Sequence, residues 1–173
     1  MRVLGIDPGY AICGYGLVED LPGKTAALAF GAITTQAHTR FEDRLQEVYG
    51  DVSQLLRDFA PDAMAIETLF FQNNQKTAVA VAEARGVILL AARQANVLIY
   101  EYSPLQVKQS VSGYGKATKK QMMEMTRRLL KLREVPRPDD AADALAIALC
   151  HAHSARSLQF GRTKTRRQEM GYE

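Results

Sequence analysis

The sequence predicts a single α/β domain built on a five-stranded sheet of mixed direction and flanked by helices. Three observations carry that expectation. The opening 34 residues contain three β-like runs in succession, and later runs of this kind alternate with segments of helical period. Of the 173 residues, 47% are hydrophobic, enough to fill one core without disulfides or a second domain.

Arg2 to Ile6 reads as a short buried strand; Cys13 to Val18 and Ala26 to Thr34 read as two more, joined around Pro22-Gly23. From Phe41 the period changes. Phe41, Leu45, Val48, Val52, Leu55, Leu56 and Phe59 recur at helical spacing, which predicts an amphipathic helix that stops before Pro61. Met64 to Ile66 gives a fourth strand. Asn73 through Asn96 is rich in Ala and Val and apolar on more than one face, so one side is expected to meet another subunit, with Ala80 and Ala84 placed on it. Val97 to Tyr100 is the fifth strand. Helices are expected over Pro104 to Val111, Thr118 to Leu132, and Pro138 to about His153. His151 and His153 then fall at a helix C-terminus, where the partial negative charge favours imidazolium; they read as surface residues.

The formal net charge is only +3, so distribution matters more than total. Basic residues gather between Lys108 and Arg137 and again from Arg156 to Arg167, a pattern that a solvated helix face and a frayed end would also produce. Cys13 and Cys150 lie far apart in apolar stretches, as reduced and buried thiols do, and a reducing cytoplasm is the expected location. The longest apolar stretch, Ala78 to Ala92, is interrupted by Glu83 and Arg85, so no membrane span is expected.

Chemistry is carried by acids. Gly5-Ile6-Asp7-Pro8-Gly9 sets a carboxylate at the end of the first strand, where Pro8 and Gly9 turn the chain. Ile66-Glu67 repeats the arrangement at the end of the fourth. Asp140 and Asp143 are three apart and share one helix face, with small alanines between them that let another element approach. Each acid has an ordinary explanation: an Asx-turn for Asp7, the first polar residue of a loop for Glu67, and a helix cap at Asp139 with first-turn acids behind it. Capping does not explain Asp143 among alanines. Four carboxylates converging within about 6 Å repel strongly unless they are protonated or hold cations. Oxygen donors without a Cys or His pair favour Mg²⁺ or Mn²⁺ over zinc, and two such ions about 4 Å apart suit in-line attack on a phosphodiester. Asp7 is then the expected bridging ligand, with Glu67 on one side and Asp140 and Asp143 on the other.

Gly5-Ile6-Asp7-Pro8-Gly9 with Gly14-Tyr15-Gly16, then Ala65-Ile66-Glu67, Ala84-Arg85-Gly86-Val87, Gln106-Val107-Lys108-Gln109 and Asp140-Ala141-Ala142-Asp143-Ala144-Leu145-Ala146, resemble the RuvC family of Holliday junction resolvases. The similarity runs in order from Met1 to about His153. The resemblance implies a ribonuclease H-like nuclease domain over residues 1–154, leaving residues 155–173 as a basic tail of flexible composition. It also implies a homodimer, Mg²⁺-dependent symmetric nicking of four-way junction DNA in recombination and repair, RuvA and RuvB as branch-migration partners, and Asp7, Glu67, Asp140 and Asp143 as catalytic acids. Asp140 is preferred to Asp139 because it keeps the two-alanine gap to Asp143.

Lys108 and Lys119 match family lysines near the cut strand, where an ammonium can offset phosphate charge. Lys116 closes Ser112-Gly113-Tyr114-Gly115-Lys116, a loop whose backbone amides could approach phosphate, although its spacing is not that of a P-loop. Phe70 matches the family aromatic that stacks on unpaired bases; its neighbour Phe71 is the other candidate, and burial in the core would account for either. Three other readings remain, one of them the related putative resolvase family called YqgF, usually shorter, whose acid pattern differs late in the chain. An actin-like or sugar-kinase-type ATPase lobe shares an Asp-x-Gly turn after the first strand, but such proteins use two lobes and this chain supplies one. A non-catalytic junction-binding protein would not need all four acids.

Overall fold

Strand β1 (Arg2–Asp7) is central because Val3 through Ile6 are buried on both faces, as expected of a strand covered by helices on each side. The computed structural model describes residues 1–69 and 75–169. Strands β2 (Ile12–Leu21) and β3 (Lys24–Thr34) form a hairpin beside β1. Leu21 pairs with Lys24, leaving Pro22 and Gly23 as the turn, and Gly23 takes φ of 75°, which glycine adopts without steric penalty. Helix α1 (Phe41–Phe59) leads to β4 (Ala63–Glu67), and α2 (Gln75–Gln94) to β5 (Leu98–Tyr102). Helices α3 (Pro104–Ser112), α4 (Lys119–Leu129) and α5 (Asp139–Glu169) complete the chain. The sheet order is β3-β2-β1-β4-β5, antiparallel among the first three and parallel among β1, β4 and β5.

Strand parity divides the core. Leu4, Ile6, Met64 and Ile66 pack with α1 and α2 on one face; Val3 and Ala65 pack with α3, α4 and α5 on the other. Helix α5 lies directly on the sheet. A methyl group at Gly5 would stand 2.0 Å from the Ala144 carbonyl oxygen, and one at Gly14 would stand 2.1 Å from that of Asp140. Only glycine permits such contact, and the Ala-rich start of α5 matches it from the helix side.

Several expectations need correction. Helix α5 continues to Glu169, well beyond His153, because no proline follows Pro138 and the isolated Gly161 is tolerated within the helix. His151 is therefore mid-helix and buried, not a surface imidazolium: its Nδ1 lies 2.8 Å from the Tyr102 hydroxyl, and burial lowers its pKa. His153 is half-buried, with Nδ1 3.1 Å from Ser110 Oγ. Ala84 is fully buried instead of exposed; Val79 and Leu90 are the exposed apolar residues of α2. Arg156, read as the start of the tail's basic run, is a tie within the fold, its Nε donating to the buried Asp20 carboxylate at 2.7 Å. Cys13 and Cys150 are buried free thiols, and among the described residues no helix is long and apolar enough to cross a membrane.

Candidate active site

The site begins with parity and register. Val3 and Gly5 face α5, so Asp7, two residues on, faces the same way; Ala65 places Glu67 likewise. Ile6 pairs with Ile66 in parallel register, so the next residue of each strand stands beside the other, about 4.8 Å apart in the backbone. Opposite Asp7 on β2 is Gly14, pressed against the backbone of Asp140 at the start of α5. One helical turn later comes Asp143.

Two further elements close the margin. Thr118 caps α4, its Oγ1 accepting from Gln121 N–H at 3.3 Å while Gln121 Oε1 accepts from Thr118 N–H at 2.9 Å. This fixes Lys119 as the first helical residue. Its ammonium lies 3.2 Å from Asp143 and 3.5 Å from Asp139. Helix α3, capped in the same way by Ser103, carries Lys108 towards Glu67. Glu67, Lys108, Lys119, Met122 and Asp143 line an open cleft of about 270 Å³.

Electrostatics join the acids. The Asp7 carboxyl is pushed up to about 7, chiefly by burial and then by the charges of Asp143, Glu67 and Asp140, with Lys119 opposing. Glu67 is also pushed up to about 7, by burial first and Asp143 next, with Lys108 opposing. Burial raises Asp143 as well, against the nearby Lys119. Desolvation would lower the Lys119 pKa, but Asp143 and Asp139 hold it above its usual value. The site thus concentrates negative charge that the ammonium groups of Lys119 and Lys108 offset incompletely.

Asp7, Glu67, Asp140, Asp143, Lys108 and Lys119 are therefore brought to one margin. Lys116 is exposed between α3 and α4 and forms no ion pair among the described residues. Phe70 and Phe71 lie outside the described residues. Among the described residues, no three His, Cys, Asp or Glu side chains are drawn into a ready-made ligand cluster. The donor set nevertheless fits a hard divalent cation: the acids that share charge offer oxygen only, and a cationic side chain is already held against two neighbouring acids.

Two residues at the margin carry contacts that sequence reasoning did not assign. Asp139 is the first residue of α5 rather than its cap, and its carboxylate meets both Lys119 and Arg137, the latter at 3.0 Å. Arg85 reaches Glu67 from α2; it lies in the Ala84-Arg85-Gly86-Val87 run of the family resemblance, which names no contact for it.

Comparison with known proteins adds a second line. The family model described as crossover junction endodeoxyribonuclease RuvC matches residues 3–151. A relative of that name from Heliobacterium modesticaldum is 53% identical over 154 residues, covering 89% of this chain and 95% of the relative. The structure of Thermus thermophilus RuvC matches with a TM-score of 0.84 at 40% identity, covering 91% of this chain and 96% of that one. A structure of T. thermophilus RuvC in complex with Holliday junction substrate matches with a TM-score of 0.83 at 37% identity over the same shares.

Proposed function

The chain belongs to the RuvC family of crossover junction endodeoxyribonucleases, with a ribonuclease H-like fold, and from that premise we propose that it resolves Holliday junctions by paired, symmetric, metal-dependent nicking in recombination and repair. The observation that carries this reading is that the family match spans every acid gathered at the sheet margin. Neither an ATPase lobe nor a non-catalytic junction-binding protein is favoured by such a match.

Asp7, Glu67, Asp140 and Asp143 would hold divalent metal, which we take to be two Mg²⁺ ions per site with Mn²⁺ able to substitute. When bound, such ions activate the attacking water and stabilise the leaving 3′ oxygen. Glu67 and Asp143 line the open cleft, and the buried Asp7 feels the charge of both. Lys119 and Lys108 face the same space and offset phosphate charge as mobile point charges. Lys116 meets the DNA backbone outside the cleft, and Phe70 stacks on an unpaired base at the crossover.

A four-way junction has an approximate two-fold axis, so paired cuts call for a two-fold homodimer. Helix α2 suits that contact: Val79, Glu83, Gly86 and Leu90 recur at helical spacing and are exposed along one stripe. RuvA and RuvB are the expected partners in branch migration. The test incubates purified protein with a synthetic four-way junction and duplex controls, with and without Mg²⁺, beside Asp7→Asn. Metal-dependent paired nicks at the junction, absent from the variant, are expected; metal-independent cutting or an active variant overturns the reading.

A further inference from the structure

Outside the cleft, Arg85 makes contacts that bear on how the site is built. It stands on α2, on the sheet face opposite the cleft, and only 16% of its side chain is exposed. Its Nε donates to the main-chain oxygen of Glu67 at 3.3 Å, and its Nη2 donates to the Glu101 carboxylate at 2.5 Å. Glu67 and Glu101 belong to adjacent strands: Ile66 pairs with Glu101, and Glu67 with Tyr102. One residue further on, Thr68 N–H donates to the Tyr102 oxygen at 2.9 Å. The guanidinium therefore spans the ends of β4 and β5 at the point where the Glu67 backbone leaves the sheet.

We propose that Arg85 is a positioning residue, which fixes the main chain of Glu67 from behind so that its carboxylate faces the cleft at a set height and angle. The proposal rests on the reading of Glu67 as a metal ligand. A planar fork with donors in two directions can hold both acceptors at once, whereas a lysine offers a single point charge on a flexible stem. The charges that reach the Glu67 carboxyl are those of Asp143 and Lys108, on the cleft side. Arg85 acts through the backbone. A ligand displaced by a fraction of an ångström to an ångström loses much of its catalytic value while substrate binding elsewhere is untouched.

The test compares Arg85→Ala, Arg85→Lys, Glu101→Gln and Glu67→Gln with the unaltered protein. Four quantities are measured: single-turnover cutting of a synthetic junction, junction affinity with Ca²⁺ in place of Mg²⁺, Mn²⁺ affinity by calorimetry, and thermal melting. Arg85→Ala is expected to cut between about ten and a hundredfold more slowly, with junction affinity unchanged and Mn²⁺ affinity reduced. Arg85→Lys falls between it and the unaltered protein. Glu101→Gln, which removes the outer end of the tie at a half-exposed position, shows a smaller loss in the same direction and keeps the question open to test should Arg85→Ala fail to fold. Unaltered cutting and Mn²⁺ affinity in Glu101→Gln and in any folded Arg85 variant, with Glu67→Gln inactive, overturn the positioning role. So does a loss confined to junction affinity, which would make Arg85 a DNA contact. Full activity in Glu67→Gln overturns the reading of Glu67 itself.

Discussion

Replacing Gly14 by alanine tests how the acids are gathered. The added methyl carbon would stand 2.1 Å from the Asp140 carbonyl oxygen and 2.5 Å from its carbonyl carbon. Both atoms belong to helix backbone, so no side-chain rotation relieves the clash. A carbon settles against a carbonyl oxygen at about 3.3 Å, and the first turn of α5 must therefore retreat by about 1 Å. Gly14 is the ladder partner of Asp7, so the wedge opens between Asp7 and Asp140. A displacement of that size lowers the rate of cutting about a hundredfold. Overpacking destabilises by about 1–3 kcal/mol, which in a chain of this length lowers Tm by roughly 2–12 °C. The assay is single-turnover junction cleavage at saturating Mg²⁺ alongside thermal melting. Gly50→Ala, in α1 with open space around the added carbon, is the control and should stabilise by about 0.5–1 kcal/mol at unchanged rate. An unaltered rate and Tm for Gly14→Ala would refute the argument that glycine sets the height of α5 above the sheet.

Asp7 and Glu67 are both raised to about 7, mainly by burial, so the folded chain binds their protons more tightly than the unfolded chain does. Stability in the presence of a chelator should therefore fall as pH rises from about 4 to about 7 and level off above. Asp7→Asn removes part of that penalty: it should melt several degrees above the unaltered protein at pH 8 and lose the advantage near pH 4, whereas an advantage independent of pH would contradict the shift. Lys119→Met, which deletes the ammonium beside Asp143, should slow cutting about a hundredfold with little change in Tm, and a normal rate would remove Lys119 from the chemistry. Arg156→Ala leaves the Asp20 carboxylate, 7% exposed, without its guanidinium; a loss of about 1–3 kcal/mol by denaturant titration is expected at unchanged cutting, and unaltered stability would make the contact incidental.

Much of this arrangement is readable from the chain. Helix α1 spans Phe41–Phe59 as its apolar spacing requires, and the Pro22-Gly23 turn sets the first hairpin. The acids are legible because each ends an apolar run or sits where alanines would otherwise continue. What escapes the sequence is set at long range. The Arg156–Asp20 tie joins residues that no local pattern connects, and the burial of His151 is set by its packing against Tyr100 and Tyr102 on β5. Arg85 escapes for a related reason: a charge in an apolar helix interrupts a membrane span as readily as it supports a strand end, and only the packing of α2 behind β4 decides between them.

Helix α5 also bears on how the molecule is born. It covers one face of the sheet and supplies Asp140 and Asp143, yet it follows every strand and every other helix among the described residues in chain order. A nascent or prematurely terminated chain that ends before Asp139 has neither the cover for Val3 and Ala65 nor the carboxylates that complete the cluster with Asp7 and Glu67. The gathered acids are thus complete only once the chain has been made through Asp143 and α5 has docked on the sheet.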